Sequence, residues 1–318
     1  MPDSTRIETD ILEVMKAADN MKFKLPVCDH DYSEGKRTCI INGGTVWLDN
    51  IARALRWHGH EAELIALTGE WGDSDYVIVQ SEWLGMPNAW NCKAKGTRII
   101  TLLGHFISHV YPKMETVRNL SNYLVTMWEG ELLEGFDTFF MPHAYSDLMD
   151  DQVSSIRKGD IVWAGNQYQL RDEGWLNGLD ITPIKGTEPQ ELFAIYRGAN
   201  VCPNIHGDFQ KNIVSYQPSK IADKPGMMIN ERFWNVLGCG GTLVTDYIPQ
   251  MDRFFEEGEL LIGKTKEEFQ ALVEEYSHDR SKGCERLEKA REKVRKHHTY
   301  RHRVRDLLKH LNLDYKEC

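Results

Sequence analysis

Arg232 and Asn235 stand three residues apart in the stretch NERFWNVLGCGGTLVTDY, residues 230–247. Residues at that spacing share one face of a helix, and a polar start followed by an apolar run predicts a helix here. A cation in a first turn opposes the positive end of the helix dipole. That is unfavourable for the helix alone, so the arrangement points to an anionic partner such as a phosphate. Phe233, Trp234, Val236 and Leu237 supply buried faces. Gly240-Gly241 permits a tight turn into the predicted strand TLVTD, which places Asp246 at a strand end. A plain helix–strand unit accounts for any one of these residues taken singly.

Other candidates lie just after predicted strands. Asn42-Gly43-Gly44-Thr45 precedes a predicted helix. Glycines there let backbone N–H groups approach an anion at the helix N-terminus. The third glycine of a dinucleotide fingerprint is missing, and a tight turn fits equally well. His105, in LLGHFISHV, follows a strand and could act as a base or hold a sugar hydroxyl. His109 lies four residues on, but no acidic third ligand stands nearby, so no metal site is expected. His143 ends another strand, and each histidine alone also fits a satisfied loop residue. Arg171, in WAGNQYQLRDEGWL, could grip a phosphate through two donors or be a surface charge at a helix start.

The elements that must hold these residues alternate between strand and helix. Apolar positions at helical spacing predict a helix from Ser4 to about Met21, and MKFKLPVCDHDYSEGKR reads as a connector. TCIING, residues 38–43, reads as the first strand of a parallel sheet. VWLDNIARALRW follows as a helix with Gly59 at its C-cap. Further strands are expected in EAELIAL, SDYVIVQSEW, GTRIITLLGHF and the segment reaching MPHA. A second series starts at GDIVWAG and runs through DITPIKG, the helix PQELFAIYRG, ANVCPNI, the 230–247 stretch, GELLIGKT and the helix KEEFQALVEEYSH. The chain ends in a charged helix or pair of helices from about Arg280 to Leu311. The expected division is 1–37 as helix and connector, 38–150 as one Rossmann-like unit and 151–318 as a second with terminal helices. Ligands of open parallel sheets sit at the carboxyl ends of the strands, so the cleft between the two units is the expected site.

Composition bounds the rest. Hydrophobic residues make up 41% of 318, enough for real cores. The net charge of −10 argues against a protein that coats nucleic acid. The basic run over 291–310 interleaves Glu292 and Asp306 and reads as a solvated helix face. Seven cysteines form no C-x-x-C pair, which fits free thiols in a reducing compartment. No signal-peptide pattern or membrane-length apolar run is present, so a cytoplasmic protein is expected.

The second half resembles the CgeB-like glycosyltransferases, a bacterial and phage family. The resemblance rests on GDIVWAGNQYQLR, YRGANVCPNIHG, NERFWNVLGCGGTLVTDYIPQMDRFFEEGELLI and HHTYRHRVRDLL, spanning roughly 159–308. Residues 38–149 agree only in layout. The resemblance implies an α/β protein of GT-B architecture: two facing Rossmann-like domains, a cleft between them and a C-terminal helical segment. It implies no permanently bound cofactor and a nucleotide-sugar donor, with a UDP-sugar favoured, held mainly by the C-terminal domain. By carry-over, Asn166, Tyr168, Arg171 and Asn204 belong to the donor site, Arg232 neutralises the diphosphate, and residue 235 contacts the ribose. Gly240, Gly241 and Thr242 would line the pocket. Asn235 stands where the family commonly has glutamate, and the family's Glu–seven-residue–Glu spacing is absent, Met227 being eight residues before Asn235. An amide can still hydrogen-bond a diol, without charge assistance.

The expected activity is therefore sugar transfer from a nucleotide sugar to an acceptor hydroxyl. His105 is the expected base if the reaction inverts configuration. The acceptor is either a glycan or a hydroxymethylated pyrimidine in phage DNA. For DNA, Lys93, Lys95, Arg98, Lys113 and Arg118 are the candidates for a basic groove. A nucleotide-sugar epimerase of the same architecture and an inactive nucleotide-sugar binder are the alternatives. Oligomeric state is not legible.

Overall fold

The computed structural model describes residues 20–27, 32–33, 36–37, 43–103, 114–127, 136–165, 174–206 and 228–318. Two parallel sheets organise them. The first has six strands: β1 (Lys22–Val27), β4 (Glu61–Ala66), β5 (Tyr76–Gln80), β6 (Arg98–Leu103), β7 (Tyr123–Thr126) and β8 (Thr138–Phe140), in the order β4-β1-β5-β6-β7-β8. A two-residue ladder of β2 (Tyr32–Ser33) and β3 (Lys36–Arg37) stands apart. Helices α1 (Gly43–His58), α2 (Pro87–Ala94) and α3 (Met114–Leu120) connect the sheet strands.

β1 corrects the expectation of a connector. In KFKLPV, Phe23, Leu25 and Val27 are buried, a period of two that belongs to a strand. Flanking lysines and Pro26 disguise it. Pro26 is tolerated because β5 pairs with β1 only at Phe23 and Lys24, so the missing donor falls where β1 has a single neighbour. The strand expected at 38–43 and the helix expected from Ser4 lie outside the described residues, save Gly43, which opens α1, and the last two, Asn20 and Met21.

The second unit contains β9 (Ile161–Ala164), β10 (Ile181–Ile184), β11 (Cys202–Asn204), β12 (Leu243–Asp246) and β13 (Leu261–Gly263), all parallel. β10 pairs with β9, β11 with β12 and β12 with β13, and a bridge between Ile161 and Val201 joins the two groups. The order across this edge is therefore β10-β9-β11-β12-β13. Helix α4 (Pro189–Gly198) precedes β11, α5 (Glu231–Cys239) precedes β12, and α6 (Lys266–Ser277) follows β13. In each unit the first strand lies between the second and the third, so the winding reverses beside it. That reversal leaves a crevice at the carboxyl ends of the strands.

The chain ends in three helices, not one or two: α7 (Arg280–Arg286), α8 (Glu288–His297) and α9 (Tyr300–His310). The last does not stay with the second unit. Tyr300, Val304, Leu307, Leu308 and Leu311 join the core built on Phe23, Leu25 and α1. Tyr145 exchanges backbone hydrogen bonds with His298 and Tyr300 where the two crossing segments run side by side. The residues expected to form one C-terminal unit therefore contribute their last helix to the first core.

Candidate active site

Helix α5 is built to start at the crevice of the second sheet, with the positive end of its dipole there. Asn230 caps it by accepting from the Phe233 amide at 3.0 Å, and Gly240 ends it in the left-handed region at φ 97°. Phe233, Trp234, Val236 and Leu237 are fully buried in the second core. This leaves Glu231, Arg232 and Asn235 to line a cavity of about 440 Å³.

Arg232 is fixed by what surrounds it. Its guanidinium lies over the Trp163 indole, 4.0 Å from the ring centre, and Nη1 donates to Asn204 Oδ1 at 3.5 Å. Gly165 is where the chain passes directly beneath it. A Cβ at that residue would stand 2.1 Å from Arg232 Nη2, and the backbone there has φ 147°. Trp163 lies near the end of β9, Gly165 follows that strand, and Asn204 ends β11, so the arginine sits where the second sheet reverses its winding.

The remaining walls differ in character. Ile184, Leu192 and Phe193 form an apolar side, continued by Tyr196. Burial pushes the Tyr196 phenol far above its usual range, so it stays neutral. Lys185, Gly186 and Thr187 carry the chain from β10 along the cavity toward Pro189, the first residue of α4. From the first unit comes Val46, one turn into α1, and from the crossing segment Ser146. The helix N-termini of α1, α4 and α5 thus all reach this cavity, each favouring negative charge.

Hydrogen bonds lock the polar end. Asn235 Oδ1 accepts from the Ser146 amide at 2.9 Å. Because the partner is a donor, the amide oxygen must face Ser146, which leaves the NH2 group without a described partner. Glu231 Oε1 accepts from Asn50 Nδ2 at 3.0 Å and from Ser146 Oγ at 3.3 Å. Glu231 also raises the buried Tyr300 phenol, whose elevation comes first from burial. One carboxylate therefore ties together α1, the crossing segment, α5 and α9. Sequence reasoning missed Glu231 although it stands inside the singled-out stretch, because its partners are more than 65 residues away.

The structure sorts the expected residues. Arg232 and Asn235 line the cavity, and Asn204 backs Arg232. Gly43 and Gly44 form the first turn of α1, in the helix and not ahead of it. Asp246 ends β12, where its Oδ1 meets His206 Nδ1 at 2.6 Å. Gly240, Gly241 and Thr242 do not reach the cavity. They follow the carboxyl end of α5, roughly 13 Å of helix from its start. There the Gly240 carbonyl faces Arg291 and Cys284, and Thr242 faces Cys284. A helix that begins at the carboxyl edge of a parallel sheet must end at the amino edge, so these three residues lie on the wrong side. His105, Asn166, Tyr168 and Arg171 lie outside the described residues. His143 is buried, with Nδ1 3.1 Å from the Tyr300 hydroxyl.

The basic residues considered for a DNA groove are also misplaced for it. Arg98 opens β6 and bonds Tyr76, and Lys93 bonds Asn122 just before β7. Lys95 closes α2, and Arg118, near the end of α3, lies over Phe136. All four gather at the amino edge of the first sheet, away from the cavity. Lys113 lies outside the described residues. Among the described residues no group of three or more His, Cys, Asp or Glu could hold a metal ion.

The chain belongs to the family described as Glycosyl transferase-like, which matches residues 148–309, just over half of its length. That span starts in the crossing segment and contains the whole second sheet, α5 and most of α9. No curated protein sequence matches the chain. Solved structures do match it in three dimensions. Anabaena HepE in complex with UDP and glucose has a TM-score of 0.60 at 10% identity, covering 92% of this chain and 100% of that one. Sucrose-phosphate synthase from Thermosynechococcus elongatus has a TM-score of 0.56 at 9% identity, covering 92% and 98%. T4 phage BGT in complex with its UDP-glucose substrate has a TM-score of 0.54 at 11% identity, covering 92% and 100%. At these identities the likeness establishes the fold, which is the GT-B architecture of two facing parallel-sheet units. Among the described residues no helix is long and apolar enough to cross a membrane.

Proposed function

We propose that the protein transfers a sugar from a nucleotide-sugar donor, a UDP-sugar, to an acceptor hydroxyl. The observation that carries this reading is Arg232, held at the start of α5 between an indole face, an amide oxygen and a glycine, beside an apolar wall. A nucleoside diphosphate has the matching halves: a flat base for the apolar side and an anion for the arginine and the helix N-termini. During transfer the negative charge on the leaving diphosphate grows. A preorganised cation and dipole stabilise that charge more than they stabilise the ground state. Asn235 turns its NH2 toward the cavity and is proposed to bond the ribose hydroxyls. Glu231 is proposed to orient the sugar.

The similarity to HepE and T4 phage BGT, solved with UDP-glucose or its parts, supports the donor class. The motifs of the CgeB-like group support the same site. The acceptor reading we favour is a glycan, because Lys93, Lys95, Arg98 and Arg118 lie at the edge away from the cavity and the net charge is −10. His105 is the proposed base for an inverting reaction. Free buried Cys92, Cys202 and Cys239 suit a reducing compartment, which supports the cytoplasmic reading.

A thermal-shift screen of nucleoside diphosphates and their sugars tests the reading. UDP or a UDP-sugar is expected to raise the melting temperature of the wild type and not of Arg232→Ala. If no nucleotide stabilises the protein while a control transferase responds, the reading is wrong.

A further inference from the structure

Arg232 is oriented by a chain of groups that do not line the cavity. Asp246 and His206 form a buried pair: Asp246 Oδ1 is 2.6 Å from His206 Nδ1, and Oδ2 accepts from the His206 backbone amide at 2.9 Å. His206 is 6% exposed and Asp246 8%. A paired histidine and carboxylate at that depth cost desolvation, and neither faces the cavity. Their effect is found one bond further on. With the carboxylate against Nδ1, the neutral ring carries its proton on Nδ1 and a lone pair on Nε2. That lone pair faces Asn204 Nδ2 at 3.4 Å.

Asn204 is completely buried and has two ways to present its amide. Both of its inner neighbours choose the same one. Nδ2 also donates to Thr245 Oγ1 at 3.2 Å, and the Thr245 hydroxyl spends its own proton on Asp246, within 3.1 Å of the carbonyl and 3.3 Å of Oδ1. The NH2 group must therefore point inward to His206 and Thr245. The oxygen must point outward, to Arg232 Nη1 at 3.5 Å. If the tautomer reversed, an N–H on Nε2 would oppose the Asn204 NH2 group. The amide would turn, and its donors would then face the guanidinium and repel it.

We infer that Asp246, His206 and Asn204 form a buried relay in which Asp246 sets the His206 tautomer, His206 sets the Asn204 amide, and Asn204 holds Arg232 over Trp163. Asp246 and His206 are then positioning residues and not donor contacts. The inference rests on the proposed function for its purpose and on the geometry alone for its existence, so the two are tested separately. The relay is tested in the full chain without ligand by nitrogen-15 NMR of the histidine and arginine side chains, with His206→Gln and Arg232→Ala used for assignment. In the wild type, His206 is expected to carry its proton on Nδ1, with Nε2 unprotonated at pH 7.5. In Asp246→Asn that pattern is lost and the Arg232 side-chain resonance shifts.

A proton on Nε2 of the wild type overturns the relay, and this holds even if the variant fails to fold. An Arg232 resonance unmoved in a folded Asp246→Asn with an altered His206 breaks the link between the pair and the arginine. The purpose is tested by titration with UDP. Loss of the partner that orients a metal ligand costs about 10- to 100-fold in metal affinity, and a loss at the lower end of that range, about tenfold, is expected by analogy for UDP in Asp246→Asn. Unchanged UDP affinity in a variant whose Arg232 resonance has moved overturns the positioning role. Absence of UDP binding to the wild type overturns the donor reading, while the NMR result stands.

Discussion

Gly165→Ala separates the placement of Arg232 from the stability of the fold. The new Cβ would stand 2.1 Å from Arg232 Nη2 and 3.1 Å from its Cζ. The obstructing atoms are the far end of a flexible side chain, so the clash is relieved by moving the guanidinium off Trp163, not by moving the sheet. The backbone cost is separate: φ of 147° disfavours a side chain, by about 1–3 kcal/mol for a sparsely populated conformation. Gly178→Ala is the control, because Gly178 also has a positive φ, of 87°, and a Cβ there meets nothing within 4 Å. Both variants are expected to lose stability by urea unfolding. Only Gly165→Ala is expected to lose UDP binding. Charge-assisted hydrogen bonds contribute about 1.5–3 kcal/mol, or about 10- to 150-fold in affinity. Calorimetric titration with UDP reads the difference. Wild-type affinity in Gly165→Ala, or an equal loss in Gly178→Ala, refutes the argument that this glycine exists to admit the arginine.

Two further substitutions and a pH dependence follow from the same geometry. Asn235→Ala leaves the buried Ser146 amide without its acceptor and is expected to cost about 1–3 kcal/mol in urea unfolding. Asn235→Glu keeps an oxygen for Ser146 and offers a charged oxygen to the ribose diol, so tighter UDP binding is expected by calorimetry. His298 is pushed down to about 3 by burial among Trp234, Phe254 and Phe255 and by neighbouring Arg303. His302 is pushed down to about 4, first by burial and then by nearby arginines. Both stay neutral in the folded protein while the unfolded chain takes up protons from pH 6.5 downward. Stability is therefore full above pH 6.5 and falls as pH drops toward 4, by at most about 1.4 kcal/mol per unit for His298. Melting temperatures at pH 7.5, 5.5 and 4.5 check this, and a flat profile would contradict it.

The second unit was more legible than the first because its signals are local. α5 announces itself by an asparagine cap, an apolar stripe and a glycine stop, all within eleven residues. The strands of GDIVWAG and DITPIKG are short apolar runs closed by glycine, and both appear where expected. β1 was hidden because lysines and a proline break its run, while its burial depends on β4 and β5, 34 residues or more along the chain. The return of α9 was hidden for a related reason. Its apolar stripe shows that it packs, but only the crossing at Tyr145 and Thr299 shows against what. Gly240, Gly241 and Thr242 came from motif likeness alone. The direction of a strand–helix–strand unit, legible in the sequence, already puts the end of that helix away from the ligand edge. Glu231 and His206 acquire meaning only through partners brought in by the fold.

The central claim is that the cavity at the start of α5 holds a nucleoside diphosphate through Arg232. An equilibrium titration of UDP into wild type and Arg232→Ala tests it most directly, with both proteins checked for the same unfolding midpoint in urea. Saturable binding by the wild type, weakened about 10- to 150-fold by the substitution, is the predicted result. Equal affinity in a folded Arg232→Ala would contradict the account.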